Sequence, residues 1–141
     1  MTDSTEKKPI IRVVAAAIEH DNKYLITQRR TTAVLPLMWE FPGGKVELGE
    51  DDPVALAREI KARLDVSVRV DLLLSAVRKE YSTYIVDLHL YSCSILEGEP
   101  KAAAVNTFRW ATVQEFDSLQ FTPADQASMD RLLGIGAKPK T

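Results

Sequence analysis

Alternating apolar and polar positions divide much of the chain into short runs that favour strands. The runs are rich in β-branched and aromatic residues, which are typical of strands, and they cover residues 10–18, 23–28, 66–81, 84–95 and 106–110. Turn-forming residues follow three of these runs, at His20-Asp21-Asn22, Ser82-Thr83 and Glu97-Gly98-Glu99-Pro100. Residues 29–38 show no period and are predicted to form an irregular loop.

The most regular apolar period lies in residues 53–64. Leu56, Ile60 and Leu64 recur every four residues, which gives a helix one apolar stripe. Asp52 stands before Pro53, and this pair favours a helix start, since aspartate caps free N–H groups and proline fits the first helical position. We therefore predict a helix over residues 53–64, capped by Asp52.

Two shorter helices are predicted towards the C-terminus. Thr112 and Glu115 have the spacing of a capping box, and Thr122-Pro123 opens a last helix. The last helix is expected to bury Met129, Leu132 and Leu133 and to stop at Gly134. The order of strands and helices predicts an α+β domain with a mixed sheet between helices.

The bulk properties predict one soluble domain. The chain has 141 residues, 45% of them apolar and 27% charged, as is ordinary for a globular protein. We predict a single domain over residues 9–135, between disordered tails at residues 1–8 and 136–141. The net charge of −2 gives no reason to expect a nucleic-acid polymer or a membrane as partner. The sequence predicts a cytoplasmic protein, with its one cysteine, Cys93, as a buried, inert thiol.

Residues 41–66 carry the strongest motif of the chain. They read FPGGKVELGEDDPVALAREIKARLDV, in which Gly43 and Gly44 are expected to let the backbone turn where a side chain would clash. The spacing of Gly44, Glu50, Arg58 and Glu59 resembles the Nudix box, G-x5-E-x7-R-E-U-x-E-E-x-G-U, with U bulky and apolar. The stretch from Trp39 to Lys45 is similar to the MutT and CTP-pyrophosphohydrolase branch, so the resemblance implies the Nudix α/β/α sandwich.

The chain departs from the box where the family has two adjacent glutamates and a glycine. These positions are Ala62, Arg63 and Asp65. Arg63 follows Glu59 by four residues, a spacing at which the two side chains of a helix form an ion pair. Arg109 is a further departure, because several MutT-like enzymes have a metal-reaching glutamate before the equivalent of Trp110.

The resemblance implies a metal site and assigns roles to its residues. The Gly43 carbonyl, Glu59 and Glu50 would hold Mg²⁺ or Mn²⁺, with Glu59 and Glu50 as catalytic residues. Arg58 would tie the helix to the acidic loop, and Gly44 would belong to the structural motif. The sequence alone leaves other readings open: simple turn glycines, a solvated acid at Glu50, and an ion pair between Glu59 and Arg63.

The resemblance also implies substrate contacts at Arg29 and Asp125. Arg29 would bind the phosphate end of a nucleotide, which suits a guanidinium because it makes paired hydrogen bonds to phosphate. Asp125 would meet the edge of the base. The plain alternatives are an exposed arginine at the end of a strand and an acid favoured by the helix dipole.

Two functions follow from these residues, with a third in reserve. The first is a MutT-like hydrolase that converts a nucleoside triphosphate, or another nucleoside diphosphate-linked compound, to monophosphate and pyrophosphate, weakened by the altered box. The second is an inactive nucleotide- or phosphate-binding module in which Arg63 and Arg109 supply the positive charge that metal supplies elsewhere. The third is a structural relic with an interaction surface. In the first two, the partner is a small-molecule nucleotide.

Overall fold

A computed structural model describes residues 7–133, and side chains as far as Asp130. Within this part of the chain lie seven strands and three helices: β1 Ile10–His20, β2 Lys23–Gln28, β3 Trp39–Glu40, β4 Gly43–Lys45, α1 Asp52–Leu64, β5 Ser67–Glu80, β6 Ile85–Glu97, β7 Thr107–Ala111, α2 Val113–Phe116 and α3 Pro123–Leu133. None of these helices is long and apolar enough to cross a membrane.

The strands form one mixed sheet in the order β3-β2-β1-β6-β5, while β4 pairs with β1 and β7 with β2. Strands β1 and β6 are parallel, and the other pairs are antiparallel. Asp21 and Asn22 have φ angles of 52° and 66°, as a tight turn between antiparallel strands requires. The predicted mixed sheet is confirmed.

Strand β1 separates two apolar cores because its side chains alternate between the faces of the sheet. Val14, Ala16 and Ile18 face the core under α1. Ala15 and Ala17 belong to the opposite core, which contains residues of α2 and α3. The sheet therefore lies between helical layers, which confirms the predicted α+β class.

Helix α1 confirms the predicted apolar stripe, since Leu56, Ile60 and Leu64 are fully buried. The predicted cap is wrong by one residue: Asp51 is the cap, and its Oδ1 accepts a hydrogen bond from the Val54 N–H at 3.2 Å.

Asp52 instead begins the helix and lies buried against the sheet. Its Oδ2 accepts hydrogen bonds from Arg12 Nη2 at 2.8 Å and from the Tyr91 hydroxyl at 2.5 Å. Burial by itself would raise the pKa of Asp52, but these two donors and the Arg12 charge outweigh it and lower the pKa. The carboxylate thereby fixes the first turn of α1 onto β1 and β6.

Asp65 ends the helix in the left-handed conformation, with φ at 59°. Glycine is the usual residue there, but aspartate tolerates this region better than most side chains. The Asp65 carboxylate also lies near the ammonium groups of Lys61 and Lys101, at 3.3 and 3.5 Å. The lost glycine of the motif is therefore accommodated without loss of the helix end.

The paired glycines belong to a strand, so the predicted turn is wrong, although the predicted clash is correct. Gly43 pairs with Ala15 and Gly44 with Val14. A Cβ added to Gly43 would lie 1.9 Å from the Val14 carbonyl oxygen. Gly43 is required because β4 lies closer to β1 than a side chain allows.

The chain ends lie partly outside the described residues. Of the predicted tails, residues 1–6 and 136–141 fall outside, as do Gly134 and the side chains of Leu132 and Leu133. At the edge of the described part, Lys8 Nζ lies 2.6 Å from Glu80 Oε2 and donates to the Tyr81 carbonyl oxygen at 2.8 Å. The predicted burial of Met129 is confirmed.

Candidate functional site

The Glu59 carboxylate lies between two guanidinium groups on α1. Its Oε1 accepts a hydrogen bond from Arg63 Nε at 3.0 Å, and its Oε2 accepts one from Arg58 Nη1 at 2.9 Å. The predicted pairing of Arg63 with Glu59 is confirmed. The carboxyl group presses on strand β4, since a Cβ added to Gly44 would lie 2.3 Å from Glu59 Cδ.

Arg58 also ties the helix to the acidic loop, as predicted. Its Nε and Nη2 donate to the two oxygens of Glu50 at 2.7 and 2.9 Å, and Nη2 donates to the Lys45 carbonyl oxygen at 3.1 Å. The Arg58 hydrogen bonds, followed by one from the Glu47 N–H, lower the pKa of Glu50 to about 2. Such a carboxylate is a poor proton acceptor at neutral pH, so its predicted catalytic role gains no support.

The residues of the box do not fit a cluster of divalent ions. Within residues 7–133, no group of three or more His, Cys, Asp or Glu side chains is arranged to hold a metal. Both oxygens of Glu59 and of Glu50 already accept hydrogen bonds from arginine. Hard cations need free carboxylate or carbonyl oxygens, and a guanidinium repels them. The Gly43 carbonyl remains a predicted ligand.

A second group of charged residues meets where β2 ends. Arg29 Nη1 lies 3.2 Å from Glu40 Oε1, and Arg29 Nε donates to the Val34 carbonyl oxygen at 2.6 Å. Pairing of β2 with β3 places these side chains together, because Gln28 and Trp39 are partners in the sheet. The predicted phosphate ligand Arg29 is thus held beside a carboxylate.

Asp125 is buried and lines one pocket together with Arg29 and Glu40. Its Oδ1 accepts a hydrogen bond from the Phe41 N–H at 3.0 Å, and its Oδ2 accepts one from the Thr122 hydroxyl at 2.7 Å. Burial, followed by the nearby charge of Glu40, raises the pKa of Asp125 to about 7. Burial also raises the pKa of Glu40, against the opposing charges of Arg29 and Arg63. The two carboxyl groups hold protons more strongly than ordinary acids.

An apolar cavity of about 350 Å³ opens beside these carboxyl groups. Tyr81 and Tyr84 line it and stack on each other, with ring centroids 4.9 Å apart and planes inclined by 13°. Aliphatic side chains complete much of its wall: Ile11, Val13, Val34, Leu35, Val86 and Leu88. A flat, partly polar ligand suits a cavity that combines apolar walls with a few polar groups.

Arg109 does not join Arg63, in contrast to the pairing of charges expected for a binding module. Its Nη2 lies 3.4 Å from Glu115 Oε2, at the start of α2. The arginines that line a pocket with Arg63 are Arg29 and Arg30. The positive charge therefore gathers at the end of β2 rather than on β7.

Sequence reasoning missed Glu40, Arg30 and the tyrosine pair. Glu40 is the one acid in the apolar and glycine-rich stretch from Trp39 to Gly44, and an acid in such a setting is a signal for a buried functional group. Arg30 gave no comparable signal, because its neighbours in the pocket come from distant parts of the chain.

Comparisons with known proteins agree with this architecture. The family described as NUDIX domain matches residues 13–131. The chain is 31% identical over 128 residues to the CTP pyrophosphohydrolase of Escherichia coli K12, which covers 91% of this chain and 95% of that protein. It is 34% identical over 115 residues to putative 8-oxo-dGTP diphosphatase 2 of Mycobacterium tuberculosis H37Rv, covering 81% and 82%. The solution structure of the E. coli ORF135 protein superposes with a TM-score of 0.77 at 30% identity, covering 95% and 96%.

Proposed function

The chain belongs to the Nudix family, in its MutT-like hydrolase branch, and we propose that it binds a small-molecule nucleotide in the cavity beside Asp125 and hydrolyses it weakly. The ligand class is a nucleoside triphosphate or another nucleoside diphosphate-linked compound. The proposed partner is a free nucleotide in the cytoplasm, not a nucleic-acid polymer or a membrane.

The main support for nucleotide binding is the buried carboxyl of Asp125, which lies at the edge of an apolar cavity lined by two tyrosines. With a pKa of about 7, this group exists near neutrality both as an acceptor and as a hydroxyl donor. The edge of a nucleobase offers both donors and acceptors, and its faces stack on aromatic side chains. The cavity therefore offers apolar contact for the faces of a base and a polar group for its edge.

The phosphates are assigned to the cationic side of the site. Arg29 lies between the apolar cavity proposed for the base, which we call the base cavity, and the residues of the Nudix box. It lines the base cavity with Asp125 and a neighbouring pocket with Arg63. Guanidinium groups bind phosphate through paired, charge-assisted hydrogen bonds. This arrangement favours binding that does not require a divalent ion.

Weak hydrolysis is the second activity, and family membership together with the retained Glu59 favours it. In this family, divalent metal such as Mg²⁺ or Mn²⁺ supplies the charge that activates water and stabilises the phosphates. The arginine partners of Glu59 oppose this use of its carboxylate. Hydrolysis to monophosphate and pyrophosphate is therefore expected to be far slower than in a family member with an intact box.

A thermal-shift panel tests the proposal. The protein is heated with CTP, dGTP and 8-oxo-dGTP, each in EDTA and in Mg²⁺, with Asp125→Ala as the comparison variant. We expect at least one nucleotide to raise the melting temperature in EDTA, and the rise to be lost in the variant. If no nucleotide stabilises the protein, nucleotide binding is wrong and the structural relic is favoured. Stabilisation that requires Mg²⁺ would instead support the metal-dependent hydrolase.

A further inference from the structure

A polar pocket of about 180 Å³ lies between the end of β2 and the end of α1. Its wall contains the side chains of Arg29, Arg30, Thr32, Arg63 and Glu40. We call this cavity the arginine pocket. It shares Arg29 and Glu40 with the apolar base cavity, so one extended ligand can reach both.

The walls of the arginine pocket are tied together by backbone hydrogen bonds. The carbonyl oxygen of Arg63 accepts hydrogen bonds from the N–H groups of Ala103 and Ala104, both at 3.1 Å. Arg30 Nη2 donates to the Ala103 carbonyl oxygen at 3.3 Å. These bonds hold the end of α1, the start of the loop after β2 and the segment before β7 in one arrangement, which reduces the entropy lost when a ligand binds.

The pocket has more positive charge than its acids balance. The pocket is lined by three guanidinium groups and by one carboxylate, Glu40. Glu59 pairs with Arg63 along α1 but does not line the pocket. Among residues 7–133, Nη1 and Nη2 of Arg63 and Nε and Nη1 of Arg30 donate a hydrogen bond to no other protein atom. These donors point to an anionic ligand with several oxygens.

We propose that the arginine pocket is a phosphate subsite, in which Arg30 and Arg63 hold the terminal phosphates of a nucleotide without a divalent ion. The inference rests on the proposed function, since the base cavity would hold the other end of the same ligand. The preferred ligand is then a nucleoside di- or triphosphate, and affinity increases with the number of phosphates.

Isothermal titration in EDTA tests this assignment with three probes: CTP, CMP and inorganic tripolyphosphate. We expect CTP to bind at least about tenfold more tightly than CMP, because its additional phosphates accept charge-assisted hydrogen bonds that CMP cannot reach. In the double variant Arg30→Ala and Arg63→Ala, which keeps Arg29, the preference for CTP over CMP should fall to a small fraction of its wild-type value. Arg69→Ala is the matched control, since Arg69 lies on β5 and pairs with Asp71; it should keep the difference.

Arg63→Gln is a second variant, which keeps a shorter, uncharged polar side chain and should also weaken the preference for CTP. Circular dichroism checks that every variant folds. Equal affinity for CTP and CMP in the wild type, a difference that the double variant leaves undiminished, or one that appears only with Mg²⁺ would each overturn the phosphate subsite. The first and third of these leave nucleotide binding intact. If CTP and CMP fail to bind but tripolyphosphate binds through Arg30 and Arg63, the subsite stands and the proposed base site is wrong.

Discussion

Arg63 donates a hydrogen bond to Glu59 across one turn of α1, with 3.0 Å between Nε and Oε1. On its other side the same carboxylate accepts from Arg58 at 2.9 Å. Two arginine side chains thus balance the charge of the Glu59 carboxylate and occupy both of its oxygens. In the altered box the Glu59 carboxylate is held in an internal ion pair, and the fold around it is that of the family.

Restoring the two glutamates should restore hydrolysis. Ala62→Glu with Arg63→Glu changes the local charge by about three units. Removal of the Arg63 cation also removes its repulsion of a divalent ion, which at an effective dielectric near 20 amounts to about 4 kcal/mol of Coulomb energy for each pair of unit charges. We expect Mg²⁺-dependent CTP hydrolysis to rise by about a hundredfold or more. Released pyrophosphate measures it.

Two further variants test whether that gain belongs to the site. Glu59→Gln in the restored background should remove the gain. Lys61→Glu, which makes a change of about two charge units in the same direction at an exposed position of α1, should leave hydrolysis near the wild-type rate. If the wild type already hydrolyses CTP at a rate typical of active enzymes, and Glu59→Gln does not alter that rate, then other residues hold the metal.

The two glycines of β4 should differ in their tolerance of alanine. Gly43→Ala places Cβ against the Val14 backbone, which cannot move aside. We therefore expect the free energy of unfolding to fall by about 3 kcal/mol or more. Gly44→Ala meets the end of the Glu59 side chain instead. We expect a smaller loss, with the ion pair to Arg63 displaced. Urea unfolding measures both, and equal losses would contradict the account.

Much of this fold could be predicted from local pattern, and the failures have local causes. Leu56, Ile60 and Leu64 revealed α1 because a helix repeats its buried face every three to four residues. Strands β3 and β4 have two and three residues, too few to show alternation, and paired glycines favour a turn on local grounds. Asp51 and Asp52 are equally good caps by type, and only contact with Arg12 and Tyr91 decides between them.

The candidate site was only partly readable because its members are distant in sequence. The pairing of Arg63 with Glu59 followed from helix geometry alone. The hydrogen bond from Phe41 to Asp125 joins residues 84 positions apart, and the Asp125 carboxyl becomes buried only when α3 packs against the sheet. The predicted involvement of Arg109 failed because Glu115, fixed by the capping box at Thr112, lies beside it.

Ionisation of Asp125 should lower stability as pH rises. Its pKa is about 7 in the folded protein against an ordinary 3.8, so the folded state holds the proton more tightly than the unfolded state. The protonated carboxyl therefore contributes at most about 4 kcal/mol to the free energy of unfolding. This contribution is complete below pH about 4 and is lost as pH rises through about 7. Glu40 shifts in the same direction. Asp125→Asn should therefore flatten the fall in melting temperature between pH 5 and 8. An unchanged fall would contradict this.

Tyr91 should stabilise the first turn of α1 through Asp52. Its hydroxyl donates to the buried carboxylate, and burial, followed by this hydrogen bond, raises the pKa of Tyr91 to about 12. Tyr91→Phe leaves Asp52 with Arg12 as its donor and should cost about 1–3 kcal/mol. Tyr84→Phe is the control, because its contact is a ring stack. Equal losses in the two variants, measured by urea unfolding, would count against the role of Tyr91.

Affinity for Mn²⁺ tests most directly whether Arg63 has replaced the metal. The free ion is followed by electron paramagnetic resonance during titration of the wild type, the variant Ala62→Glu with Arg63→Glu, and the control Lys61→Glu. We expect the double variant to bind Mn²⁺ about a hundredfold or more tightly than the wild type and the control. This expectation would be contradicted by a wild type that binds Mn²⁺ as tightly as the double variant and loses that affinity with Glu59→Gln.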